Sequence, residues 1–188
     1  IVSAALNTNP VMIYCGQELG EPGMDEEGFS GRDGRTTIFD YWSIQRLRDW
    51  NNGGRFDGVR LDPSAQQLRR TYQLLLNAVR SEQVITQGQF YDLMYANAHN
   101  PRFDSNRQYA FLRKYQNEVL LVVANFDRAE QRVWVNIPVD AFKTLGFEDN
   151  RPATVTDLLS GSTAISTLTD AYPYFVQLPA YSGKLLKF

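Results

Sequence analysis

The sequence predicts two architectures in succession: an α/β segment over residues 1–85, then an all-β antiparallel sandwich over residues 86–188. Three observations carry this. Val11-Met12-Ile13-Tyr14-Cys15 is an unbroken apolar run between Pro10 and Gly16, the pattern of a strand buried on both faces, as in a parallel sheet. Residues 62–80 combine a capping Asp62, Pro63 at the first helical position and an apolar stripe at helical spacing. Beyond about residue 86 the period turns strand-like, with short apolar segments between polar turns.

Residues 1–7 read as the last turns of an apolar helix, which Asn7-Thr8-Asn9-Pro10 ends because proline disfavours helical geometry in the residue before it. The chain opens in mid-pattern, with no initiator Met, basic leader or cleavage pattern, and is expected to be a piece of a longer or processed protein. After the expected strand at residues 11–15, residues 16–61 are rich in glycine (Gly16, Gly20, Gly23, Gly28, Gly31, Gly34) and carry the acidic run Asp25-Glu26-Glu27. A segment this long with little regular structure is usually functional or disordered. Phe29, Phe39, Tyr41, Trp42 and Trp50 argue against disorder. A short helix is expected over residues 41–50 with Asp40 as its cap. In the next helix Leu68, Tyr72, Leu75, Leu76 and Val79 share one face, to about Arg80.

Strands are expected at residues 89–93, 109–114, 119–126, 132–137, 153–157, 174–178 and 184–188. Gln116-Asn117 and Asp127-Arg128-Ala129-Glu130 are read as hairpin turns. Val133, Val135 and Ile137 alternate with Trp134 and Asn136, so that strand has two unlike faces. Residues 119–126 are the most apolar strand and should supply the core through Val119, Leu121, Val123 and Phe126 or their neighbours.

Composition narrows the function. The chain has 188 residues, 43% of them apolar, and 19 basic against 21 acidic side chains leave a net charge of −2. A domain of this size buries roughly 70% of its chain surface, enough for a proper core. The balance of charge lacks the basic stripe of a nucleic-acid binder. One Cys, Cys15, excludes a disulfide framework, and one His with it excludes a His/Cys zinc site within the chain. The longest clean apolar run, residues 119–124, is far short of the ~20 residues of a membrane helix.

Several motifs then converge. Pro10-x-x-x-Tyr14-x-Gly16-x-Glu18 resembles the eighth-strand motif of the α-amylase family, glycoside hydrolase family 13, with Cys15 where a second tyrosine is common. Asn125-Phe126, Asp157-Leu158-Leu159-Ser160-Gly161, and Val176-Gln177-Leu178-Pro179-Ala180 followed by Leu185-Leu186 resemble that family's later landmarks, in its order. The resemblance implies that residues 1–85 are the end of a (β/α)8 barrel, with strand eight and helix eight, and residues 86–188 the β-sandwich C-terminal domain. It also implies an α-glucan substrate, starch or maltodextrin, in a retaining hydrolase or transglycosylase. A retaining glycosidase needs two carboxyl groups flanking the scissile bond. No motif here matches the family's catalytic ones, so the carboxylates are expected upstream, in a missing N-terminal barrel portion, and no catalytic residue is assigned.

What remains for this chain is one wall of a cleft, because barrel active sites are built from the loops after the strands. Tyr14, Arg35 and Trp42 are the candidate substrate-binding residues, by sugar stacking and hydrogen bonding to hydroxyls, with Asp33 and Asp40 beside them. Tyr14 reads equally as core filler, and Glu18 as a strut for the loop base. Asp25-Glu26-Glu27 reads as a solvated loop tip, although clustered oxygens also suit Ca²⁺. No metal or cofactor is assigned to this chain; the resemblance leaves Ca²⁺ open for the longer protein. A cut barrel strand should self-associate or fray. The alternative function is a non-catalytic carbohydrate-binding or structural β-sandwich, which exposed aromatics on one sheet face would favour. A polysaccharide-degrading parent would favour an extracytoplasmic location.

Overall fold

The structure, a computed structural model, describes residues 1–21 and 45–188. It divides into two compact units, one formed by Ile1–Pro10 with Leu75–Phe188 and the other by Val11–Leu74.

The first unit is an antiparallel β-domain. Its strands are β1 (Gln89–Asp92), β2 (Gln108–Tyr115), β3 (Glu118–Asn125), β4 (Gln131–Val135), β5 (Arg151–Asp157), β6 (Thr163–Leu168), β7 (Tyr174–Leu178) and β8 (Ser182–Lys187). Six form one sheet in the order β1-β2-β3-β8-β5-β6, and β4 pairs with β7 in a second sheet. Period-2 alternation sets the layers. Val119, Leu121 and Val123 of β3, with Ala110 and Leu112 of β2, pack in one core with Val133, Val135, Val176 and Leu178 from the small sheet. The opposite face of β3, Leu120 and Val122, is equally buried. There the sheet meets α1 (Val2–Ala5) and α4 (Gln83–Thr86). Buried Arg113 of β2 locks this layer: its guanidinium donates to the carbonyl oxygens of Leu6 and Ile85, each at 2.7 Å. The unit is thus three layers deep, with the β4–β7 pair on the side away from α1 and α4.

Each expected strand is found within two or three residues of its predicted ends, except the one at residues 11–15. Phe126 is not core: it is 57% exposed, because the chain leaves the sheet after Asn125. Residues 127–130 form no hairpin turn. They carry the chain from the large sheet to the small one, since β3 pairs with β2 and β8 whereas β4 pairs with β7. β6 and the helices α5 (Met94–Asn97) and α6 (Val139–Leu145) complete the unit.

In the second unit residues 11–15 form no strand, contrary to the sequence pattern. Neither sheet of the described residues takes them in as a strand, and a strand is defined by the ladder it shares with a neighbour. Met12, expected to be buried on this reading, is 86% exposed. The short helix near residues 41–50 is α2, Gln45–Asn51; its expected cap Asp40 lies outside the described residues. The long helix, α3, spans Pro63–Ser81. Asp62 caps it as expected, its Oδ1 accepting from the N–H groups of Ser64 at 2.9 Å and Ala65 at 3.0 Å. A small core of Leu19, Leu61 and Ala65, with Leu47 and Trp50 packed on it, holds the unit together.

Candidate functional site

The motif around Tyr14 and Glu18 folds into the base of a loop. After the extended residues 11–15 the chain makes one 3-10 turn, Gln17–Leu19, between Gly16 and Gly20. Gln17 ties it down at both ends: its N–H donates to the Tyr14 carbonyl at 3.0 Å, its Oε1 accepts from the Tyr14 N–H at 3.1 Å, and its Nε2 donates to the Tyr72 hydroxyl at 2.9 Å. Gly20 is needed where it stands. Its φ is +69°, and a Cβ there would lie 2.9 Å from Leu68 Cδ2.

Arg46 closes the base. Its backbone N–H donates to Glu21 Oε2 at 3.0 Å, its Nη1 donates to the Leu19 carbonyl at 2.7 Å, and its Nη2 lies 3.2 Å from Asp62 Oδ2. Residues 19–21 and 45–46, which bracket the segment 22–44, are thereby pinned to the start of α3. Asp62 is held below the usual carboxylate range, first by the Ser64 hydroxyl and the Ala65 N–H, with Arg46 adding to it. The strut of this base is Glu21 with Arg46, not Glu18. Sequence reasoning had no signal for that partnership, since the two residues lie 25 positions apart.

Tyr14 is 45% exposed, so it fills no core. Arg35 and Trp42, with Asp33, Asp40 and Asp25-Glu26-Glu27, lie outside the described residues. Among the described residues no group of three or more His, Cys, Asp or Glu side chains is placed to hold a metal ion. No helix among them is long and apolar enough to cross a membrane.

The landmarks of the β-domain have equally specific jobs. Asn125 is 1% exposed and staples the passage between the sheets, its Nδ2 donating to the carbonyls of Ala129 at 3.0 Å and Pro179 at 2.9 Å. Asp157 organises the turn after β5: its carboxylate accepts from the Leu159 N–H at 3.1 Å and the Ser160 hydroxyl at 2.9 Å. Gly161, at φ +73°, completes that turn by donating to the Asp157 carbonyl.

Trp134 is not part of the buried core. It points away from the core, half-buried, on the outer face of β4, with its ring centroid 4.9 Å from that of Phe175 on β7. The Arg102 guanidinium lies 5.0 Å from the indole centroid on this face.

The fold and these turns define a class: an antiparallel β-domain of two unequal sheets. Residues 102–185 match the family described as maltogenic amylase, C-terminal domain. That stretch is therefore similar to the C-terminal domain of maltogenic amylases, in keeping with the motifs. No curated protein matches it. Among solved structures, AmyP in complex with maltose superposes with a TM-score of 0.58 at 14% identity, over 98% of this chain and 32% of that one. A substituted AmyP in complex with maltotriose gives 0.58 at 13% identity, over 98% and 33%. A maltogenic α-amylase, AmyB, from Thermotoga neapolitana gives 0.48 at 12% identity, over 65% and 25%. The chain thus spans about a third of the AmyP chain or less of the others.

Proposed function

We propose that the chain is the C-terminal portion of a retaining α-glucan-active glycoside hydrolase or transglycosylase. In this reading residues 1–85 are the end of its (β/α)8 barrel and residues 86–188 its closing β-domain. The observation that carries it is the match of residues 102–185 to a maltogenic amylase domain. The AmyP likeness, which extends over 98% of this chain, supports it at the level of fold. The reading also accounts for the exposed apolar run at residues 11–15: inside a barrel, neighbouring strands would cover it on both sides. In the same frame residues 16–61 would follow the eighth strand, on the face where barrel enzymes bind substrate. Tyr14, Arg35 and Trp42 would line that cleft, and the catalytic carboxylates would belong to the preceding part of the barrel.

The test is reducing-sugar release from starch and maltodextrin by the 188-residue chain and by the longer protein. Turnover by the longer protein alone is the expected result. Turnover by the chain alone would return attention to Glu18, Asp33 and Asp40. In the longer protein Arg35→Ala and Trp42→Ala should lower kcat/KM, where lost transition-state contacts appear. The uncovered run should also show itself: in the isolated chain, amide exchange at Ile13 is expected to be fast when dilute and slower as copies associate. Strong protection in a dilute monomer would contradict the barrel-strand assignment.

A further inference from the structure

We propose that the outer face of the β4–β7 sheet, together with the groove along the free side of β7, is a non-catalytic binding site for α-linked glucan chains. The proposal rests on the α-glucan reading above for the identity of the sugar.

Strand alternation sends Val133, Val135, Val176 and Leu178 into the core and leaves Arg132, Trp134, Phe175 and Gln177 on the other face. The core needs nothing from that second face, yet it carries a tryptophan directly opposite a phenylalanine. Phe175 is 48% exposed. The two rings are tilted by 49°. The Arg102 guanidinium also lies over the indole, 5.0 Å from its centroid. Cross-strand packing of the ring pair is the plain structural role such a contact can have.

What surrounds the rings points to a sugar. Gln177 donates to Glu130 Oε1 at 2.7 Å, which sets an amide and a carboxylate side by side at the rim. Beyond β7 a groove of about 240 Å³ opens between the sheets, lined by Phe175, Gln177, Ser162, Thr163 and Lys184. Phe175 is thus common to the aromatic face and the groove. Among the described residues β7 pairs only with β4, and its residues Tyr174, Phe175, Val176 and Gln177 line the groove on its other side. At ~30 Å³ per water the groove holds about eight waters, room for one sugar residue. A pyranose presents an apolar C–H face and a rim of hydroxyls. The exposed Phe175 ring beside neutral and charged donors and acceptors matches both parts, whereas a protein partner would call for a broader apolar centre.

The experiment is a titration of the 188-residue chain with maltoheptaose, followed by NMR and tryptophan fluorescence, with mobility in amylopectin gels alongside. Wild type is expected to bind and to be retarded. Phe175→Ser should raise Kd about tenfold, the equivalent of about 1.4 kcal/mol. Gln177→Ala, which removes no packed ring, should raise it about threefold with unchanged urea stability. Wild-type affinity in both variants, or no binding by the wild-type chain, overturns the proposal and leaves the α-glucan reading of the longer protein standing. Phe175-dependent binding of cellohexaose with none of maltoheptaose overturns that reading and the ligand named here with it. A concentration-dependent dimer abolished by Phe175→Ser assigns the face to a second copy and also overturns the proposal.

Discussion

The Arg113 guanidinium donates to the carbonyl oxygen of Leu6 at 2.7 Å, joining residues 107 positions apart. A second donation to Ile85 brings α1 and the end of α4 to one point on the large sheet. Both carbonyls lie at or near helix C-termini, where cations are favoured. Burial works against this charge and holds the Arg113 pKa below its usual value. Its fitness for the place therefore depends on the carbonyls it serves.

Arg113→Leu leaves those buried acceptors without donors and should destabilise the domain by about 3 kcal/mol. Urea midpoints measure the loss. Amide exchange should show Leu6, whose N–H closes the short α1, released before the strands.

Leu121 is fully buried in the core between the sheets. Leu121→Ala should cost about 2–5 kcal/mol through lost burial and the cavity left behind. An unmoved denaturant midpoint would contradict the assignment of this core.

Asn125 tests the staple. Asn125→Asp replaces a donor by a carboxylate facing the carbonyls of Ala129 and Pro179, whereas Asn125→Ala only removes the donor. Both should destabilise, Ala by about 2 kcal/mol and Asp by more at neutral pH. Equal midpoints at pH 7 would show that the amide does not donate as described.

Acid should loosen the same region. The Asp127 carboxyl is held below the ordinary range chiefly by the hydrogen bond from Arg107, at 2.9 Å, and then by the Ala129 N–H. A folded pKa below the unfolded one gives stability that is present above the unfolded value, near pH 4, and is lost as pH falls through the folded value. The wild-type midpoint should therefore drop more between pH 5 and pH 3 than that of Asp127→Asn. Parallel profiles would show that Asp127 is not linked to folding.

In the loop base, Gly20→Ala forces a β-carbon against Leu68 at a left-handed backbone position. A cost of about 1–2 kcal/mol is expected. Thermal unfolding of the variant measures it.

Most of the β-domain was legible because its strands alternate or run apolar, and because the turn residues stand where strands end. β6 escaped notice for a physical reason: it is an edge strand of Thr, Ala, Ile, Ser, Thr and Leu, with Ile165 81% exposed, so neither alternation nor an apolar run marks it. Residues 127–130 have the composition of a hairpin turn, and composition does not say whether the next strand pairs back or crosses to another sheet. Residues 11–15 read as a doubly buried strand because an unbroken apolar run between Pro10 and Gly16 marks only hydrophobicity, and hydrophobicity alone does not make a strand ladder. The roles of Glu21 and Arg46 needed the fold, since a contact across 25 positions leaves no local trace. The aromatic face was readable only in part: alternation separates Trp134 from Val133 and Val135, but not core from surface.

β8 lies between β3 and β5, although every other strand precedes it in the chain. Until residues 182–187 are in place, β1-β2-β3 and β5-β6 are two separate ribbons with open edges. On the ribosome the domain therefore waits for its final strand, and a chain shortened by those few residues would emerge as a substrate for chaperones and proteases rather than as a slightly weakened domain.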